Sequence, residues 1–144
     1  MLFLVTGPPA AGKSTWVRQN AKSGDITIDY DAIAAVLTPL HEGVRAYPKH
    51  VSAVTQAARR AAIDTAIEYR ESTDVYVIHS TPSEKMIKFY QRLGAKIVTV
   101  DPGRDVVLSR CDKQRPWQMK QVANRWYQDR NPNVVVPESV AMPW

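Results

Sequence analysis

Three groups of residues in this sequence have the types and spacing to do chemistry. They are Gly7-x-x-x-x-Gly12-Lys13-Ser14, Asp29-x-Asp31, and Arg110 with Arg115. The first matches the pattern G-x-x-x-x-G-K-[ST] at every position. Gly7 and Gly12 allow backbone approaches that a Cβ would block. The successive N–H groups of Ala10, Ala11, Gly12, Lys13 and Ser14 can converge on a phosphate chain. Behind them stands the positive end of a helix opened by Ser14 and Thr15. Lys13 supplies a flexible charge for the outer phosphates, and the Ser14 hydroxyl is a ligand for Mg²⁺. A plain Gly/Pro turn is the bland alternative, but the full pattern between a strand and a helix is rare by chance. The expected ligands are ATP and Mg²⁺, held by Gly7, Ala10, Ala11, Gly12, Lys13, Ser14 and Thr15.

The carboxylate pair says what could be done with the triphosphate. Phosphoryl transfer to a hydroxyl needs one carboxylate to orient and deprotonate it, and another group to hold a Mg²⁺-bound water. Asp29 and Asp31 supply both, although either could equally cap the helix that follows. Arg110 and Arg115 flank a polar break in a placement that suits a short lid over about residues 110–118. There they would clamp the β- and γ-phosphates. Two solvated arginines in a basic protein are the alternative, and Lys113 between them fits either role.

These groups need a scaffold, and the hydrophobic pattern supplies one. Leu2 to Thr6, Ile26 to Ile28, Asp74 to His79 and Ala95 to Val100 read as strands. Helices are expected over Lys13 to about Ala21 (with Trp16 and Val17 inward), Ala32 to Leu37, about His50 to Arg70, Ser83 to Leu93 (closed by Gly94), Arg104 to Asp112, and Pro116 to about Arg130. On the long third helix, Val51, Val54, Ala58, Ala61, Ala62, Thr65 and Ile67 make the expected inner face. Strands alternating with helices predict an α/β fold: a P-loop three-layer α/β/α sandwich on a parallel sheet of four strands, or five if Val134–Val136 forms an edge strand. Ligands in such sheets bind outside the carboxyl ends of the strands, which puts Asp29 and Asp31 on the same edge as the phosphate loop. The single domain is expected to span residues 1–130, with a tail over 131–144.

Composition narrows the classes. The chain has 144 residues, one cysteine and a formal net charge of +5. No apolar run of about 18 residues exists, so no membrane-spanning helix is expected. The short strand at the start is too short and wrongly flanked for a signal peptide. Lone Cys111 can form no internal disulfide and fits a cytoplasmic setting as a small apolar helix residue. The positive charge favours a polyanionic partner, ATP included.

Taken together, Gly7–Ser14, Asp29-x-Asp31 and the Asp105-Val-Val-Leu-Ser-Arg110…Arg115 segment resemble the small P-loop kinases. The resemblance is nearest to phage polynucleotide 5′-kinases and related phage AAA-domain kinases, over roughly residues 1–130. It implies Asp31 as general base, Asp29 near the metal's water shell, Lys13 on the phosphates, and Arg110 and Arg115 as lid arginines. Two departures stand out. Polynucleotide kinases carry an acceptor-binding arginine one helical step after the base, where this chain has Ala32-Ile33-Ala34-Ala35. The third strand ends in Ile78-His79-Ser80, where many P-loop proteins place a metal-binding Asp. His79 and Ser80 are thus candidates for lining an acceptor pocket, or a structural pair.

The leading expectation is transfer of the ATP γ-phosphate to a hydroxyl of a nucleic acid, single-stranded DNA or RNA. Arg45, Lys49, His50, Arg59 and Arg60 would follow its backbone, with Tyr47 stacking on a base. A small-molecule or nucleotide kinase is the second reading, and an ATP-binding or ATPase module the third.

Overall fold

The computed structural model describes residues 1–41, 46–114 and 117–129, without the side chains of 112–119 and 129. Four strands, β1 (Leu2–Thr6), β2 (Ile26–Ile28), β3 (Val75–Ile78) and β4 (Lys96–Thr99), form one sheet in the order β2-β3-β1-β4. Every pairing is parallel, with Leu4 opposite Val77 on one side of β1 and opposite Ile97 on the other. Parallel neighbours need crossovers, which α1 (Lys13–Asn20), α2 (Tyr30–Leu37), α3 (Lys49–Ile67) and α4 (Glu84–Arg92) provide, while α5 (Arg104–Gln114) and α6 (Trp117–Asp129) follow the last strand.

The strand alternation explains the three layers. Leu2, Leu4, Val75 and Val77 point to one face, where they meet Ile63 and Ala66 of α3 and Tyr90 of α4. Val5, Tyr76 and Ile78 point to the other, against Trp16 and Val17 of α1, Val107 and Cys111 of α5 and Ala123 of α6. A strand buried on both faces has no polar side to show, which is why β1 and β3 read as nearly unbroken apolar runs. Tyr76 is stacked flat on Phe3 at 4.7 Å and meets Trp16 edge-on at 6.2 Å, tying β1, β3 and α1 together. The Val134–Val136 strand and the tail over 131–144 lie outside the described residues.

Two expectations need correction. The helix placed from Ala32 starts two residues earlier, at Tyr30, because Asp29 itself is the N-cap and accepts from the Asp31 N–H at 3.4 Å. The expected inner face of α3 is rotated. Val54 is 54% exposed, and Ala58, Ala61 and Thr65 also face out. The buried positions are Val51, Thr55, Ile63 and Ala66, with Ala62 and Ile67 partly buried. Moving from 54, 58, 61 and 65 to 55, 59, 62 and 66 is one residue, or about 100° of helix. The reason for the misreading is chemical: the true stripe carries Thr55 and Arg59 in its middle, so it does not look apolar.

One close approach positions the phosphate loop. Gly7 has φ 156°, and a Cβ built there would lie 2.2 Å from the carbonyl oxygen of Val100, just past the end of β4. Any side chain would force the loop and β4 apart. Gly94 offers a comparison, with φ 76° and nothing within 4 Å of a built Cβ. Gly94→Ala should therefore cost about 1 kcal/mol, for the left-handed backbone alone. Gly7→Ala should cost at least about 2 kcal/mol, because overpacking adds to it. Urea denaturation of both variants checks this, and equal losses would mean that β4 yields to the extra methyl.

Candidate functional site

The chain leaves β1 into a loop whose backbone is set by three unusual residues. Gly7 passes beneath β4, Ala10 adopts the left-handed conformation at φ 61°, and Gly12 does so at φ 97° as N-cap of α1. A non-glycine residue at positive φ is uncommon and is held only where its surroundings demand it. Gly12 offers no side chain to cap the helix, so the first amides of α1 stay available to an anion. The Lys13 ammonium lies over the loop, donating to Gly7 O at 2.9 Å and Pro8 O at 2.7 Å. Arg110, arriving from α5, donates through Nη1 to Ala10 O at 3.0 Å. Two cations thus flank the loop, one from each end of it.

At the carboxyl end of β2 the two aspartates separate into different environments. Asp29 Oδ2 accepts from the Ser14 hydroxyl at 3.3 Å while Oδ1 accepts from the Asp31 N–H. Burial, and next the nearby Asp31 carboxylate, raise the Asp29 pKa. Asp31 lies in the first turn of α2 with its side chain exposed, on the wall of the same cavity. The capping alternative is therefore half right: Asp29 caps α2, and its other oxygen still meets Ser14.

Ser14 and Asp29 make a hydroxyl–carboxylate pair of hard oxygens, the ligand chemistry that suits Mg²⁺. Among the described residues there is no cluster of three or more His, Cys, Asp or Glu able to hold a metal. A donor set of two oxygens fits a Mg²⁺ that keeps waters and takes its remaining ligands from phosphates. A cation there would also relieve the buried charge on Asp29.

A cavity of about 590 Å³ joins these parts, lined by the loop from Pro9 to Thr15, by Asp29, Tyr30 and Asp31, by Ile78 to Thr81, and by Arg110. Its remaining wall is Gln56 and Arg59 of α3. Sequence reasoning missed Gln56 as a site residue and assigned Arg59 to an outer nucleic-acid track. Arg59 instead turns inward, donating through Nη2 to Ile78 O at 3.2 Å. Its signal was i,i+4 spacing from Val51 and Thr55 along the inner stripe. Lys49, His50 and Arg60 are exposed, as a solvated face would be. Tyr47 packs on His41 at 4.7 Å and near Tyr30 at 6.4 Å. Arg45 and Arg115 lie outside the described residues, as does the middle of the expected lid.

Behind the cavity, Trp126 of α6 donates its indole N–H to Ser80 O at 2.9 Å, and Thr6 Oγ1 donates to the same carbonyl at 3.1 Å. Trp126 is buried, so it braces the β3–α4 loop from the core side. The Tyr127 hydroxyl donates to Asp101 Oδ1 at 2.7 Å.

A family profile described as an AAA domain matches residues 2–123. The chain belongs to that AAA-domain family. This is a P-loop, kinase-like family, so the protein is a P-loop phosphotransferase or ATPase of α/β fold. The narrower likeness to phage polynucleotide kinases is not part of what the match carries. No curated protein matches the sequence. Among solved structures, a tunicamycin resistance protein from Deinococcus radiodurans aligns with a TM-score of 0.57 over 91% of this chain and 80% of that one. At 18% identity the likeness is one of fold. No helix among the described residues is long and apolar enough to cross a membrane.

His79 stands where β3 ends, at the position that the AAA-domain chain leaves without an Asp. Its backbone N–H pairs with Val5 O at 2.9 Å, while its Nδ1 is buried with no partner among the described residues. Burial first, then Arg59 and Lys13, push its pKa down to about 4. The imidazole is therefore neutral at pH 7. As pH falls below the usual value of 6.5, an unfolded chain takes up a proton that the folded one refuses. Stability from this group is thus fully present above pH 6.5 and is lost on descent to about pH 4. His79→Gln should remove up to about 3 kcal/mol of that loss. Denaturation at pH 7.5 and 4.5 checks it: the stability gap between the two proteins should shift in the variant's favour at the lower pH.

Proposed function

We propose that this protein is a kinase that transfers the γ-phosphate of ATP to an acceptor hydroxyl in the cavity beside Asp31. The observation that carries the reading is the convergence of Lys13, the Ser14–Asp29 pair, Asp31 and Arg110 on one cavity. An ATPase needs only the phosphate loop and a water. A second, exposed carboxylate across from the loop, with a wall of Gln56, Arg59, His79 and Ser80 beyond it, is what an acceptor requires.

The steps follow from where the groups stand. The loop amides and α1 bind the phosphates, with Lys13 exchanging its contacts to the Gly7 and Pro8 carbonyls for phosphate oxygens. Mg²⁺, held through Ser14 and the water shell near Asp29, would neutralise charge on the β- and γ-phosphates. Asp31 accepts the acceptor's hydroxyl proton as the new O–P bond forms and the bridging O–P bond to ADP breaks. Arg110 is already against the loop at Ala10 and stabilises charge that spreads over the phosphoryl oxygens. Arg115 is its proposed lid partner.

For the acceptor, the cavity supports a small molecule. The reorientation of Arg59 takes one basic residue out of the outer track that a nucleic acid would follow. A nucleic-acid hydroxyl is the second reading, favoured by the net charge of +5 and by exposed Lys49, His50 and Arg60.

The test is transfer of label from γ-labelled ATP to 5′-OH DNA and RNA, nucleosides and a mixture of small hydroxyl compounds. Label on a small molecule supports the first reading, and label on an oligonucleotide the second. Released phosphate with no labelled acceptor would leave an ATPase. With the acceptor identified, Lys13→Ala should abolish transfer. Asp31→Asn should lower kcat by at least about a hundredfold with ATP binding nearly unchanged. Wild-type turnover in Asp31→Asn would remove that residue as the base.

A further inference from the structure

Arg59 is the largest unexplained charge in the cavity. It sits on the inner stripe of α3, four residues beyond fully buried Thr55 and four before Ile63. Its one hydrogen bond among the described residues is Nη2 to Ile78 O, and its Nε is buried without a partner. Among the described residues no carboxylate comes within ion-pair distance of it. A guanidinium presents five donors in a planar fork. The guanidinium is half-buried, and the Asp29 carboxylate that favours its charge is already bonded to Ser14 and to the start of α2, so the unpartnered donors of the fork are left to serve an anionic ligand.

We propose that Arg59, with Gln56 one turn before it, forms an oxyanion subsite, so that the acceptor carries a carboxylate or phosphate besides the hydroxyl that is phosphorylated. The proposal rests on the kinase reading above and names its substrate class: a small hydroxylated acid or phosphate ester.

Position separates this subsite from the triphosphate. Lys13 and Arg110 reach the loop carbonyls, and α1 and α5 lie on one face of the sheet. Arg59 comes from the opposite face, on the helix packed against α2, which carries Asp31. The Ile78 carbonyl anchors one arm of the fork at the end of β3 and so fixes the guanidinium before a ligand arrives. Neutral His79 beside it adds no second charge and leaves Arg59 as the cation of this wall. Gln56 adds a neutral donor from the same helix. A carboxylate or phosphate held here would set its molecule's hydroxyl near Asp31, through the bidentate geometry that arginine favours.

The experiment follows the Arg59 Nε–H signal in ¹⁵N-labelled full-length protein, assigned by its disappearance in Arg59→Lys. The phosphate loop is first saturated with Mg²⁺ and a non-hydrolysable ATP analogue. Inorganic phosphate, acetate and neutral glycerol are then added in separate titrations. The expected result is a saturable shift with phosphate or acetate and none with glycerol. Lys13→Ala should retain that shift, which excludes anion binding at the loop. Arg59→Gln, verified as folded by its thermal transition, should bind the same anion at least about tenfold more weakly. A signal that moves with the ATP analogue and then ignores both anions would make Arg59 a nucleotide contact and overturn the proposal. A signal that no addition moves would overturn it as well. Anion binding at Arg59 without label transfer to any hydroxyl would instead leave the subsite standing and sink the kinase reading.

Discussion

The structure depends on a backbone-to-backbone contact. Gly7 leaves the central strand β1 directly against the Val100 carbonyl beyond β4, with no room for even a methyl group. That contact presses the phosphate loop onto the sheet edge and fixes where α1 begins. It also determines what else can reach the loop. The chain that follows Val100 turns at Gly103 into α5, and α5 delivers Arg110 to the Ala10 carbonyl. A cation lying 103 residues beyond Gly7 in sequence is thereby held beside the loop by the path of the strand that crosses it. The left-handed Ala10 backbone lies in the same place, where its carbonyl accepts from Arg110.

Around that anchor the charges are distributed by element. α1 and α5 bring Lys13 and Arg110 to the phosphate loop, β2 and α2 bring Asp29 and Asp31 to the facing wall of the cavity, and α3 adds Arg59. The arrangement leaves the two aspartates in unlike surroundings although only one residue separates them. Asp29 is partly buried, tied to Ser14 and to its own helix, and its pKa is raised. Asp31 is exposed to the cavity. Such a split gives neighbouring carboxylates unlike surroundings, which is what the proposed division of roles between them requires. His79 belongs to the same balance: the cations around it and its burial keep it neutral.

The family assignment accords with this division. An AAA-domain chain carries its nucleotide chemistry in the loop after β1 and varies the rest, since fold and function separate at the level of the site. Beyond the loop, the cavity is closed by the wall that α3 and the end of β3 make. In that wall Arg59 supplies a positive charge, whereas the stretch after Asp31 has only Ala and Ile.

What the sequence by itself determined was local. The four strands, the glycine pattern, the two-residue spacing of the aspartates and the end of α4 at Gly94 are all set by neighbours in the chain, and propensity and periodicity read them. The burial of Trp16 and Val17 followed from the same patterns. Which of the two aspartates caps α2, and which face of α3 points inward, were another matter. Asp29 became a cap because its side chain could reach the Asp31 amide while Ser14 held its other oxygen, a choice made across two elements. The stripe on α3 was hidden because its centre holds Thr55 and Arg59, polar residues that only make sense once a cavity exists for the arginine to enter. Hydrophobic periodicity detects what a helix buries in a core, and it is blind to a charge buried in a site. Only the tertiary structure, by setting α3 across the end of β3, decided that Arg59 faces the same space as Lys13, Asp29 and Asp31.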